Sequence, residues 1–441
     1  MRDLLVLLLV CASIPLIIMR PWIGVIVWSW LGYMNPHRLA WGFAYDYPFA
    51  QVVAAVTLAS LLAAMFMGKE KLRAEGSVTL CLWLALVLWM NLTTLFALMP
   101  EEASIAWSRA MKIQLISFVT VFIMHGRQRI YALVGIIVFS LGFFGVKGGI
   151  FAAATGGSYI VWGPPGSFIE GNNELGLALV MTMPLMWYLR LRLPSAMMRW
   201  GLLGAIGITA LAVLSTQSRG AFLAICAMGA FLWLKSPKKI WTGLALVVAA
   251  PILFAMMPAS WHERMATIGT YQEDGSAMGR INAWHFAWNL AKERPLIGGG
   301  FDTFTPGLFQ RYAPDPEDFH DAHSIYFQVL GEHGFVGLGL FLGLLISALL
   351  TGQGVIRRAR GDPELEWAAD LAAMVQVSIV GFMVGGAFLG LAYFDLFYHL
   401  VAILLILSYD VNAKVAAAEA SGSLAPLRPG VPTPAHLQRR G

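Results

Sequence analysis

Apolar stretches of membrane-crossing length recur from the start of this chain to beyond residue 400. They lie near 3–33, 47–67, 77–99, 112–124, 130–151, 174–189, 200–216, 220–234, 240–257, 324–350, 366–391 and 396–409. A bilayer core about 30 Å thick takes roughly 20 apolar residues per helical crossing. Backbone groups in lipid must bond within their own segment, which makes helices the default. With 58% hydrophobic and 12% charged residues and a mean hydropathy of +0.68, a chain of 441 residues is too apolar for a soluble fold. Strand-length alternating segments of the outer-membrane barrel kind are missing. The expectation is an all-α polytopic membrane protein of about twelve transmembrane helices. In that count the first stretch, interrupted at Met19–Arg20–Pro21–Trp22, crosses once; read as a two-span hairpin, it would move the N-terminus to the outer side. The stretch lacks a small-residue cleavage site and is followed by many further spans, so an uncleaved anchor is expected. Cys11, Cys81 and Cys226 lie in apolar runs without C-x-x-C spacing and are read as small core residues.

Orientation follows from the basic connections at 69–73, 125–129, 190–199, 235–239 and 356–360, which occur in every second loop. By the positive-inside rule they face the cytoplasm. The expected organisation is a bundle of about nine spans over 1–257, a large outer loop over 258–323, C-terminal spans over 324–410 and a disordered cytoplasmic tail over 411–441. The other outer loops, 34–47, 100–111 and 152–173, are short. A loop as long as 258–323 is usually functional or a linker. Within it Ile281, Trp284, Ala287, Trp288 and Ala291 fall at helical spacing before a proline and a glycine run. That pattern predicts an amphipathic helix on the membrane face, ending in a turn that lets backbone approach closely.

Arginines stand on the outer side against the charge rule. Arg219 sits in a tight turn between two spans, and Arg264, Arg280, Arg294 and Arg311 occupy the large loop. A guanidinium near lipid is costly unless paired or wetted, and its planar fork suits phosphate oxygens. For Arg264 and Arg294 a salt bridge or a snorkelling role is the favoured reading. Arg219 has no acid near it in sequence.

His323 directly precedes an apolar helix and is placed at its outer rim. An imidazole with an ordinary pKa of about 6.5 suits proton transfer near neutrality. Beside candidate phosphate-binding arginines it suits transfer from a diphosphate-linked donor. The rival chemistry is a cation held by Asp318, His320, Asp321 and His323, whose spacing is not a strong metal signature. His333 is read as a packing or hydrogen-bonding residue.

The order His323, Ser324, Gly334, Gly337 resembles the outer-loop motif of the bacterial O-antigen ligase family, related to O-antigen polymerases. "SRGA" at 218–221 is similar to the family's span-end arginine motif. Gly279, Arg280, Trp284 and Ala287, followed by "PLIGGGFDTF", are similar to its long periplasmic loop. "YMNPHRLAWGFAYDYPFAQ" at 33–51 resembles the N-terminal region of exosortase-associated O-glycosylation ligases.

The resemblance implies an inner-membrane glycosyltransferase with a GT-C-like fold and a periplasmic active site. It would move a glycan from undecaprenyl diphosphate to a sugar hydroxyl of the lipid A core in lipopolysaccharide assembly. In those roles Arg219 and Arg280 would stabilise the leaving diphosphate, and His323 would act as general base in one inverting displacement. Lys147, Asp321, Ser324 and Arg311 are candidates for further donor or acceptor contacts. No cofactor, obligatory metal or nucleic-acid partner is expected. Glu170, Asn172, Asn173 and Glu174 precede a span, and capping is favoured over sugar contact for them. Arg38 with Asp46, and Asp395 with His399, are candidate pairs. Other acceptors, a growing glycan or a protein hydroxyl, would use the same chemistry. A transporter would instead place paired charges near the midplane and show internal repeats, neither of which is evident here.

Overall fold

The computed structural model describes residues 1–236, 238–266 and 275–420, without the side chains of Ser260 and Arg264. The described residues form α1 (Arg2–Met19), α2 (Trp22–Met34), α3 (Phe49–Phe66), α4 (Val78–Leu95), α5 (Pro100–Ile123), α6 (Arg127–Ala154), α7 (Asn172–Arg192) and α8 (Ala196–Ser215). They continue with α9 (Arg219–Lys235), α10 (Lys239–Ala255), α11 (Ala259–Ala266), α12 (Gly275–Glu293), α13 (Pro306–Tyr312), α14 (Ile325–Ala359), α15 (Glu366–Gly385) and α16 (Asp395–Ala420). No strand occurs among them. Among the described residues ten helices are long and apolar enough to cross a membrane, and α2 and α10 are shorter apolar helices. The protein is an all-α polytopic membrane protein.

Hydrogen bonds between distant loops sort the helix ends onto two faces. On one, His125 bonds Asp410 (2.9 Å) and the Arg73 carbonyl (2.8 Å), Arg129 pairs with Glu70, and Lys414 with Glu364. Glu70, Arg73, His125 and Arg129 belong to two of the connections rich in Lys and Arg, so this is the basic face. On the other, the Leu98 amide donates to the Gly299 carbonyl (2.8 Å) and the Trp261 indole to the Leu214 carbonyl (2.9 Å). This loop face carries the segment between α10 and α14.

Four expectations need correction. The first apolar stretch is two helices broken at Arg20–Pro21, where Arg20 takes a non-helical φ of −143° and ψ of 90°, away from the helical region that a following proline disfavours. The Asp3 carboxylate accepts the amides of Gly42 (3.0 Å) and Ala44 (3.1 Å), which follow α2. α1 and α2 therefore run antiparallel, and the N-terminus lies on the loop face.

Second, residues 100–111, expected as a loop, are the first half of α5. Pro100 starts that helix, where its missing N–H costs nothing, and Glu101 and Glu102 complement the N-terminal dipole. Apolar runs alone do not reveal such a polar first turn.

Third, α16 continues to Ala420, so the tail expected from 411 begins as helix; 421–441 lie outside the described residues. Fourth, the three cysteines are exposed on their helices rather than packed in the core.

Candidate functional site

α12 builds one wall of the site, and its buried face is rotated from the one expected. Asn282, Ala283, Phe286, Ala287, Leu290 and Ala291 are buried, while Trp288 is 47% exposed and meets Phe335 edge-on. The polar members of this helix hold the segment before α14. Asn282 donates to the carbonyls of Asp315 (2.7 Å) and Asp318 (2.9 Å) and accepts the Asp315 amide (3.0 Å). The Trp284 indole donates to the Ala322 carbonyl (2.8 Å) while its ring stacks on Phe327. A Cβ at Gly279 would lie 2.5 Å from the His320 ring, so only glycine admits that ring against α12. Ala287 faces Gly331 of α14, where a Cβ would come within 3.4 Å of it. Gly279, Trp284 and Ala287 thus each have a packing or hydrogen-bonding reason, which leaves Arg280 as the member that faces charge.

Held this way, the chain turns sharply into α14. His323 has φ 41°, a left-handed value that a side chain with a Cβ rarely adopts. Such a residue costs about 1–3 kcal/mol and persists where its surroundings over-determine it. The Asp321 carboxylate accepts the Ala322 amide (2.7 Å), and Ala322 is pinned from the other side by Trp284. His323 Nδ1 and Ser324 Oγ are buried without a hydrogen-bond partner.

Burial holds the His323 imidazole below the usual 6.5; Asp321 opposes this, and Arg280 and His320 reinforce it. The ring is therefore neutral at pH 7 and has a nitrogen to offer. Asp321 and Arg280 also act electrostatically on Glu174 at the start of α7. One rim on the loop face thus gathers Glu174, Arg280, His320, Asp321 and His323 from α7, α12 and the segment before α14.

Arg219 enters from a neighbouring turn. Gln217 has φ 53°, and Ser218 caps α9 by accepting the Ala221 amide (3.2 Å), so Arg219 opens the helix. Asn172 donates to the Thr216 carbonyl (2.7 Å), which seats the start of α7, and with it Glu174, on this turn. The segment after α15 joins the turn to the rim. A Cβ at Gly220 would lie 3.2 Å from Phe388, one at Gly386 2.6 Å from Ile325, and one at Gly390 3.2 Å from the Asp321 carboxylate.

Beneath the rim α14 is broken at Gly334 (φ 69°, ψ −170°), a conformation open essentially to glycine alone. The glycine run before α13 repairs the break. Phe335 donates to the Pro295 carbonyl, and Gly299 and Gly300 donate to the carbonyls of Gly331 and Glu332, all at 2.8 Å. Buried Glu332 accepts the Asp302 amide (3.1 Å) and the Tyr393 hydroxyl. The same hydroxyl lies 2.8 Å from His333 Nε2, and His333 Nδ1 lies 2.7 Å from the Thr93 hydroxyl. Glu332 and Tyr393, which sequence reasoning did not single out, lock the loop to the kink; an acid beside a histidine in an apolar run was the available signal.

Arg311 pairs with Glu293, and Arg294 donates to the Phe96 carbonyl (2.6 Å). Lys147 is exposed on α6. Glu170 accepts the Gly166 amide (2.8 Å), and no side chain caps α7, so the capping expected of 170–174 is replaced by loop closure and, for Glu174, by the rim. His320 pairs with Asp318 (3.1 Å); among the described residues no three His, Cys, Asp or Glu side chains converge to hold a metal ion. Arg38 pairs with Asp46 (3.3 Å), whereas His399 bonds Tyr33 (2.5 Å).

Residues 204–342 match the family model described as O-antigen ligase. Over this region the chain is similar to the O-antigen ligase/polymerase superfamily. The match takes in Arg219, Arg280, His323 and the Gly334 kink, and it carries ligase- or polymerase-type activity in general. Residues 1–193, which supply Glu174, match a family of unknown function, DUF5935. No curated protein matches the chain.

Proposed function

We propose that this O-antigen ligase-type protein transfers a glycan from undecaprenyl diphosphate to a sugar hydroxyl of the lipid A core, at the rim around His323. The observation that carries this reading is a neutral, partnerless imidazole nitrogen sharing the rim with Arg280 inside the family-matched region. His323 takes the acceptor proton as the hydroxyl oxygen attacks the anomeric carbon. The bond from that carbon to the diphosphate oxygen breaks, and its electron pair leaves with the lipid diphosphate. Arg219 and Arg280 hold the charge that develops there. A diphosphate leaves readily, so the step needs no general acid. Attack opposite the leaving group inverts the anomeric configuration, and the step requires no metal of its own. Asp321 and Glu174 supply acceptors for sugar hydroxyls.

The loop face is the periplasmic one in this reading, since the opposite face carries the basic loops. Purified protein would be offered lipid-linked glycan with lipid A core, with a growing glycan or with a protein hydroxyl acceptor. Product is expected with lipid A core, inverted at the new linkage, and with the same yield in EDTA. Product only with one of the other acceptors would replace the acceptor and keep the rim chemistry. Retained configuration would sink the single displacement.

A further inference from the structure

The basic face carries a cleft that the proposed reaction does not use. It encloses about 300 Å³ between the end of α7 and the start of α8, lined by Arg190, Leu191, Ala196, Arg199 and Trp200. The Arg190 guanidinium lies over the Trp187 ring, 4.7 Å from its centre, and its Nε is shut from solvent with no hydrogen-bond partner. Arg192, two residues on, is neutralised by Asp370, but no acid lines the cleft itself. Ser195 precedes α8 without a side-chain cap, so the first-turn amides of that helix are left for another acceptor. Two guanidinium groups and an uncapped helix start together favour an anion with several oxygens.

A second feature extends from the cleft along α8. Trp200, Gly204 and Gly207 fall at i, i+4 and i+7, on one side of the helix. Trp200 is 68% exposed, and a Cβ at Gly201, Gly204 or Gly207 would meet nothing within 4 Å. The helix is apolar enough to cross a membrane, so this bare strip descends from the charged cleft into the hydrocarbon layer. A shallow groove with no protein neighbour suits an alkyl chain.

We propose that the cleft and strip bind one anionic glycerophospholipid. Arg190, Arg199 and the α8 amides hold its phosphodiester, and an acyl chain lies along Gly204 and Gly207. The basic face meets the leaflet whose anionic lipids are drawn to such residues. The glycine strip is what distinguishes a lipid from a soluble phosphate ester.

The test is thermal unfolding and native mass spectrometry of the full chain in detergent, titrated with phosphatidylglycerol, phosphatidylcholine or inorganic phosphate. Phosphatidylglycerol should raise the unfolding temperature and stay bound, whereas the other two should do neither. Arg190→Gln with Arg199→Gln should weaken phosphatidylglycerol at least fivefold, and so should Gly204→Leu, which fills the strip. Lys71→Gln with Arg357→Gln, removing two basic-face charges elsewhere, should leave it unchanged. Equal weakening by that control pair would overturn the site, as would equal effects of phosphatidylcholine. Full stabilisation by phosphate alone would overturn the lipid assignment. If the arginine pair fails to fold, Gly204→Leu and single Arg199→Gln carry the same comparison.

Discussion

The amide of Phe335 donates to the carbonyl of Pro295 at 2.8 Å, a bond that takes the place of the one a continuous α14 would make to Gly331. Gly331 in turn receives the Gly299 amide. A helix interrupted within an apolar span would leave polar groups unmet, at several kcal/mol each in lipid, and the glycine run meets them. The kink and the loop over it are therefore one unit.

Gly334→Ala should break that unit. Its φ of 69° is closed to alanine, and the new Cβ would lie 2.4 Å from the Leu296 carbonyl oxygen. Backbone strain alone predicts a loss of about 1–3 kcal/mol, and the clash adds to it. Thermal unfolding in detergent should show a drop of several degrees, against a smaller one for Gly339→Ala, where a Cβ meets nothing within 4 Å. Equal effects would mean the kink is not maintained.

Glu332 is predicted to tolerate Gln but not Ala. In Glu332→Gln the side-chain amide would still accept the Asp302 N–H and would donate to Tyr393, whose hydroxyl then turns to His333 Nε2. Glu332→Ala would leave the part-buried Asp302 amide without its acceptor, at about 1–3 kcal/mol, while the Tyr393 hydroxyl would keep only His333 Nε2. Chemical denaturation of the two variants should separate them by about 1 kcal/mol or more on that basis. Similar stabilities would remove Glu332 from the brace.

Lowering pH should weaken both activity and stability through His323. Burial sets its folded value below 6.5. Between that lowered value and 6.5 the unfolded chain binds the proton that the folded one refuses, so stability rises with pH there and is flat above 6.5. As a base it works deprotonated, so kcat/KM should fall on the acid side of a midpoint below 6.5 and level off above it. A midpoint above 7 in free enzyme would contradict the environment assigned to the ring.

Trp284→Phe keeps the stack on Phe327 and deletes the bond to the Ala322 carbonyl. A single hydrogen bond of this kind is worth about 1 kcal/mol. Transfer should drop roughly tenfold, since small misplacements of a reacting group are costly, with little change in unfolding temperature. Unchanged transfer would show that Ala322 needs no support from α12.

Much of this is legible in the residues, and the parts that are not have physical reasons. Runs of apolar residues announce spans, and Arg219, Arg280 and His323 announce themselves by standing on the wrong side for charge or at a span's rim. Pro100–Met111 does not read as helix because a first turn tolerates polar residues when Pro and Glu suit its dipole. Helical spacing alone puts Trp288 on the buried side of α12, whereas its large ring lies half-exposed with its edge against Phe335. Glu174 looks like a cap because the rim it joins is assembled from segments more than a hundred residues apart. Arg311 looks like a ligand contact because its partner Glu293 lies on another helix.

The most direct measurement is transfer by purified His323→Asn beside the unaltered protein, with lipid-linked glycan and lipid A core supplied. Asparagine accepts the left-handed backbone at this position, so the fold should survive while the base is lost. Donor binding and unfolding temperature should be unchanged, with transfer reduced about 10²–10⁴-fold. Transfer within a few-fold of the unaltered protein would contradict the base assignment and move that role to another group on the rim.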